Sequence, residues 1–331
     1  MVQNNETPSL RDHTGFHDLP FDVLDIVFAD LPKPTLLECM HVSRLWRECS
    51  RPYLFRSLTL TGRTSYGKFF PFLDANTDIA QYVRSLTMRP ECAIWPISTA
   101  FLVKLMDKLP HLQELQLSGL RFHSEPTPSN ALARDDEARP PRLSLLSLQL
   151  CEGGGKGSQL SENILFDILF AVAADAIHLS DFLMAYSEAP YASRPRFRSL
   201  NPRSLVLGTL DPSLDHYGDM ITDRRLYDSL CQTIAPHCLH TLRASRIDRD
   251  EVACLAALGN LLSHSAQHTL RDFELRLISR QPLAESEETP GTPYSNLLQH
   301  IRAHLSLVVA QNAGLSFNWT NATASSPSRS L

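Results

Sequence analysis

The sequence predicts an α/β protein in two parts: a three-helix block near the N-terminus, then an irregular solenoid of short parallel strands and helices. Three observations predict it. Between Phe16 and Phe55 apolar residues recur three and four apart, whereas after Leu54 they recur two apart in short runs. Those runs return about every thirty residues, with helix-like stretches between them. Prolines (22) outnumber glycines (13), which favours stopped, packed elements over Gly-rich phosphate loops.

In the first block, Leu19-Pro20 opens a helix, because proline suits a first turn whose N–H groups lack partners. Val23, Leu24, Val27, Phe28 and Leu31 follow as one apolar stripe, with Asp22 and Asp25 near the positive end of the helix dipole. Pro32 and Pro34 stop that helix. A second helix is expected over Thr35 to Met40 and a third near Val42 to Cys49, ended by Pro52. Leu19, Phe21, Ile26, Leu36, Leu37, Val42 and Trp46 are too many large apolar groups for so small a bundle to bury. Either they dock on the rest of the chain or they mark an interaction site.

These residues resemble the F-box in order and spacing: Leu19-Pro20, Asp22-Val23-Leu24, Val27-Phe28, Leu31, Leu36-Leu37, Cys39, Val42-Ser43, Trp46-Arg47 and Pro52-Tyr53-Leu54-Phe55. The resemblance implies a module that docks on Skp1 and through it on a cullin ubiquitin ligase. By position, Leu19, Pro20, Val27, Leu36, Val42, Ser43 and Trp46 are then the expected Skp1 contacts.

The alternating runs are Ser57 to Leu60, Ser85 to Met88, Leu112 to Leu117, Leu143 to Leu150, Ser204 to Leu207, Leu239 to Ala244 and Leu270 to Leu277. Their central residues, from Leu58 to Phe273, are separated by 28, 29, 33, 57, 37 and 31 residues. Helices are expected at Phe69 to Val83, Ile97 to Leu109, Ser161 to Tyr186, Asp223 to Ala235, Asp250 to His264 and Tyr294 to Gln311. Parallel strands with crossover helices at such a period suggest stacked repeats, a doubly wound α/β domain being the alternative. The runs at Leu112 to Leu117 and Leu145 to Leu150 resemble the core of leucine-rich repeats, without the asparagine that follows it there. The 57-residue step hides a strand or carries a helical insertion.

The expected organisation is a disordered tail over 1–15, the F-box over 16–56, the leucine-rich-repeat-like region over 57–319 and a second tail over 320–331. Two stretches, Arg121 to Arg142 and Arg280 to Pro293, are too polar and proline-rich to pack a core.

Several function classes find no support. A net charge of −5 gives no reason to expect nucleic acid. The apolar stretch Ile164 to Ile177 is too short to cross about 30 Å of hydrocarbon, so no membrane partner is expected. Seven cysteines, odd in number and without a C-x-x-C pair, together with a polar N-terminus, point to a reducing compartment, cytoplasmic or nuclear. The glycines around Lys156 have the wrong order for a phosphate loop, since Gly157 separates Lys156 from Ser158. His264 with His268, and His300 with His304, have helical spacing, but a zinc site needs further ligands that the sequence does not supply. No nucleophile elbow occurs, so no catalytic residue, metal or cofactor is expected.

Polar side chains on the alternating runs, Gln113, Glu114, Gln116, Gln149, Arg243, Arg271, Asp272, Glu274 and Arg276, are the candidates for client contact if they face away from the core. The expectation is therefore a non-catalytic adaptor that recruits a client to a Skp1-cullin ligase. A non-degradative scaffold and an α/β enzyme with a dispersed site are the alternatives.

Overall fold

The computed structural model describes residues 19–61, 63–89, 96–123, 143–149, 159–180, 183–185, 199–208, 224–248, 252–266, 269–279 and 316–323. The chain divides into two compact units, Met1–Ser57 and Leu58–Leu331. The expected N-terminal tail, the helix from Tyr294, the glycine run at 151–158 and both polar linkers beyond 123 and 279 lie outside the described residues.

The first unit holds three helices: α1 (Phe21–Asp30), α2 (Lys33–Val42) and α3 (Arg44–Phe55). Pro20 lies just ahead of α1, and its carbonyl accepts the N–H groups of Val23 and Leu24 at 3.0 and 3.2 Å. Pro34 sits in the first turn of α2, so it starts the second helix as well as excluding the first. Ser43 is the N-cap of α3, its Oγ accepting the Trp46 N–H at 3.2 Å, and Val42 closes α2 rather than opening α3. The third helix also runs past Pro52 to Phe55. Tertiary packing offsets the lost hydrogen bond there, because Leu54 is buried and Tyr53 and Phe55 are packed on the core.

The core of this unit is Leu24, Phe28, Leu36, Cys39 and Leu54, with Trp46 and Tyr53 closing over Phe28. The expected stripe on α1 is thus only half interior. Leu24 and Phe28 are buried, while Val23 and Val27 are exposed with Ile26.

The second unit is α/β. Its order is β1 (Ser57–Leu60, whose first residue closes the first unit), α4 (Arg63–Ala75), α5 (Thr77–Ala80), β2 (Ser85–Met88), β3 (Pro96–Ser98), α6 (Thr99–Lys108), β4 (Glu114–Ser118), β5 (Arg121–His123), β6 (Leu143–Gln149), β7 (Gln159–Ser161), α7 (Glu162–Val172), β8 (Ala174–Ser180), β9 (Leu183–Ala185), β10 (Ser204–Leu207), α8 (Arg224–Thr233), β11 (Thr241–Asp248), α9 (Val252–Ser265), β12 (Asp272–Ser279) and β13 (Ser316–Thr323). Nine strands form one sheet in the order β1-β2-β4-β6-β8-β10-β11-β12-β13, and β3-β5 and β7-β9 are two separate small parallel pairs. From β2 to β13 every neighbouring pair in the large sheet is parallel.

The strands of the large sheet thus lie in the order in which the chain reaches them. The register then stacks like on like. Leu86, Leu115, Leu146, Ile177, Leu205, Leu242 and Phe273 are partners in one row, and Met88, Leu117, Leu148, Leu179, Leu207, Ala244 and Leu275 in another. All fourteen are buried. They share a core with Leu102 and Leu105 of α6, Leu165 and Leu169 of α7, Leu226 and Leu230 of α8, and Leu255 and Leu258 of α9. The helices therefore cover this face, each buried leucine contributing about 2 kcal/mol relative to exposure.

One expected helix is corrected. Over Ser161 to Tyr186 the helix α7 stops at Val172, Ala173 turns with φ 48°, and β8 begins at Ala174. This strand fills the 57-residue step, because Ile177 lies 29 residues after Leu148 and 28 before Leu205. At the other end β13 runs across residue 320, where the sequence places the start of a tail.

Glu162 at the head of α7 is 2% exposed and accepts the Ser229 hydroxyl of α8. That bond ties two crossover helices together from inside the core.

Candidate functional site

In the first unit the feature that packing leaves over is apolar. Leu19, Val23, Ile26 and Val27 on and before α1, and Leu37 and Val42 on α2, are all exposed, Ile26 and Val42 by 66% and 64%. Val23, Ile26 and Val27 fall three and four apart, which puts them on one side of α1, away from Leu24 and Phe28. A helix with apolar groups on both sides is built to be buried twice, once in its own core and once against something else.

The expected Skp1 contacts separate into surface and support. Leu19, Pro20, Val27 and Val42 are exposed. Leu36 is 3% exposed and belongs to the core, and the exposed neighbour on the same turn is Leu37. Ser43 is half-buried and caps α3. Trp46 is half-buried, with its ring edge-on to Phe28 at 5.7 Å between centroids. Val23 and Ile26 join the surface, Val23 against its place in the apolar stripe; both sides of α1 are apolar, and the pattern alone does not say which one wins the core.

In the second unit, the residues alternating with the buried rows form the opposite face. Thr87, Gln116, Ser147, His178, Val206, Arg243, Glu274 and Asn318 are register partners across eight strands. Glu114, Gln116, Arg243, Asp272 and Glu274 thus share one face of the sheet. The Arg243 guanidinium donates to Asp272 Oδ2 at 2.7 and 3.1 Å and lies 3.7 Å from Glu274 Oε2. Gln149 and Arg276 have the strand positions of that face, but their side chains lie outside the described residues. Gln113 and Arg271 lie just outside the strands. Each precedes its strand by one residue, and both are exposed.

Thiol chemistry finds no activated group among the described cysteines whose environment shifts them. Burial pushes the Cys39, Cys49 and Cys231 thiols up, and Cys238 up to about 11, opposite to the direction that makes a nucleophilic thiolate. Among the described residues no three His, Cys, Asp or Glu side chains come together as a metal site, and no helix is long and apolar enough to cross a membrane. His268, His300 and His304 lie outside the described residues.

The chain thus combines a compact three-helix module that has an apolar outer face with an α/β unit that has a polar sheet face. Residues 16–61 match the F-box-like family, and the chain carries an F-box-like domain there. It is also similar to F-box protein COS111 of Candida albicans, 27% identical over 86 residues, or 25% of this chain. The matched part spans 11% of that relative's length.

Proposed function

We propose that this chain is a substrate-recruiting adaptor of a Skp1-cullin ubiquitin ligase, with no catalysis of its own. F-box domains typically bind Skp1, and the observation that carries the reading is the exposed apolar set Leu19, Val23, Ile26, Val27, Leu37 and Val42 within the matched segment. The second unit would hold the client as a leucine-rich-repeat-like solenoid, a reading supported by the sequential parallel strand order and by the stacked leucine rows. The mechanism is geometric: holding ligase and client on one chain makes ubiquitin transfer effectively intramolecular. Such an adaptor would work in the cytoplasm or nucleus.

Co-purification with Skp1 tests the attachment. The wild-type chain should retain Skp1, and Ile26→Asp with Val27→Asp should lose it by about tenfold or more while keeping its circular dichroism spectrum. Failure of the folded wild type to bind Skp1 sinks the adaptor reading.

A further inference from the structure

β13 ends the nine-stranded sheet, and among the described residues no strand lies beyond it. All eight of its residues, Ser316–Thr323, pair with β12 in unbroken register. The outer side of an edge strand carries N–H and C=O groups that its own sheet does not use, and these can pair with another chain. Proteins protect such edges with short strands, charged side chains, prolines or bulges. β13 has none of these: it is long, it has no bulge against β12, and its sequence SFNWTNAT contains neither charge nor proline. The protective features sit instead on interior strands. β12 carries Asp272, Glu274 and Arg276, and β11 carries Arg243, Arg246, Asp248 and a register shift between Ser245 and Ile247. At the opposite end of the sheet β1 is four residues long.

The register says what kind of strand would continue the sheet. Phe317 is the partner of Phe273 and Trp319 the partner of Leu275, so the two buried apolar rows reach the edge on aromatic residues. Asn318, between them, continues the polar row of Arg243 and Glu274. A strand added here must offer apolar, polar, apolar at these positions. β13 offers that pattern itself. In an antiparallel pair of two copies of β13 related by a twofold axis at Asn318, Phe317 of each copy stands opposite Trp319 of the other. It is the register in which both aromatic positions of β13 meet an aromatic of the same strand, and cross-strand aromatic pairs are stabilising. With no charge anywhere in the strand, self-pairing brings no like charges together.

We propose that the free edge of β13 is a self-association surface, where a second copy of this chain adds its own β13 antiparallel with Asn318 at the twofold axis. The dimer continues the sheet from one copy into the next and presents its polar face twice. Two copies of one binding face give avidity for a client with two matching segments. Self-association does not depend on the adaptor reading: sedimentation of the chain alone measures it, and Skp1 co-purification measures the other.

Sedimentation velocity of the full chain over a range of concentrations tests it. The expected result is a reversible monomer–dimer equilibrium. Asn318→Lys with Thr320→Lys, both at polar-row positions, sets lysines opposite each other at the axis and should raise the dissociation constant about tenfold or more, with an unchanged circular dichroism spectrum. A covalent readout avoids dependence on that variant's folding. Asn318→Cys should give a disulfide-linked dimer on mild oxidation, since directly opposed strand residues lie about 5 Å apart at Cα, within disulfide range. Thr323→Cys, away from the axis, should not. The exposed apolar set of the first unit is the other route to self-association, and Ile26→Asp with Val27→Asp reads it. A wild-type chain that stays monomeric throughout, a dimer that the folded lysine variant leaves intact, a dimer abolished by the Ile26 and Val27 substitutions, or no link through Cys at position 318 would each overturn the assignment.

Discussion

Trp46 meets Phe28 edge-on, at 5.7 Å between ring centroids and 82° between ring planes, so the tryptophan expected to anchor a partner is also part of the core of its own unit. Edge-to-face pairs add about 1 kcal/mol to the apolar burial of the rings. Trp46→Ala should destabilise the first unit by about 2 kcal/mol, and Trp46→Phe by less than about 1 kcal/mol. Hydrogen exchange in α1 to α3, read alongside denaturant unfolding, checks both. An unchanged Trp46→Ala protein would take the ring out of the core.

Ser43 acts through the start of α3. Its Oγ accepts the Trp46 N–H at 3.2 Å, and it therefore orients the turn that carries Trp46. Losing an N-cap hydroxyl costs about 1 kcal/mol, whereas aspartate supplies an equivalent acceptor. Ser43→Ala should thus lower stability by about that amount and Ser43→Asp should retain it. If partner binding follows the same order as stability across the two variants, the side chain serves the fold. Binding lost in Ser43→Asp with stability intact would make it a direct contact.

Much of this architecture is legible because alternating apolar runs write a local signal. Leu86, Leu115, Leu205 and Leu242 sit in alternating runs, each run is a strand, and Leu86 pairs with Leu115 as Leu205 does with Leu242. What failed did so where two patterns overlap. The span Ser161 to Tyr186 reads as one helix, yet it contains both α7 and β8, with one residue between them. Short apolar runs carry no period that separates a buried helix from a buried strand. The same ambiguity governed α1, where Val23 and Val27 compete with Leu24 and Phe28 for the core. Pro52 misled because proline ends helices in isolation, while here packing of Leu54 carries α3 onward.

Ala173 supplies a direct test of that break. Its φ of 48° lies in the left-handed region, which costs an alanine about 1 kcal/mol and a glycine nothing sterically. The entropy glycine gives up on folding offsets part of the gain. Ala173→Gly should raise stability by about 0.5 kcal/mol, and Ala173→Val should lower it by about 1 kcal/mol or more. Denaturant midpoints compare them. A destabilised glycine variant would place this residue outside the left-handed region in solution.

The Arg243–Asp272 pair should matter little to stability. Both side chains are about a third exposed, at 39% and 32%, and pairs of that kind contribute up to about 1 kcal/mol, less in salt. Asp272→Asn should cost less than that, whereas Phe273→Ala, one residue on and facing the core, should cost about 3 to 5 kcal/mol. Equal losses in the two variants would mean that the polar face of the sheet is buried in the folded chain.

Tyr53 gives the first unit a pH signature. Burial of the phenol, together with its hydrogen bond to Asp25, pushes its pKa up to about 12 from an ordinary value of 10.0. A folded-state pKa raised above the unfolded one means that the neutral phenol is favoured by folding. This contribution is fully present below pH 10 and is lost as the pH rises toward about 12. Tyr53→Phe should therefore flatten the alkaline fall in stability of this unit. Asp25→Asn should shift the Tyr53 titration downward while leaving it above the ordinary value, since burial, the larger cause, remains. Difference absorbance of the phenolate against the Tyr53→Phe protein measures the titration. A Tyr53 that ionises near pH 10 in the folded wild type would mean that neither burial nor Asp25 holds its proton.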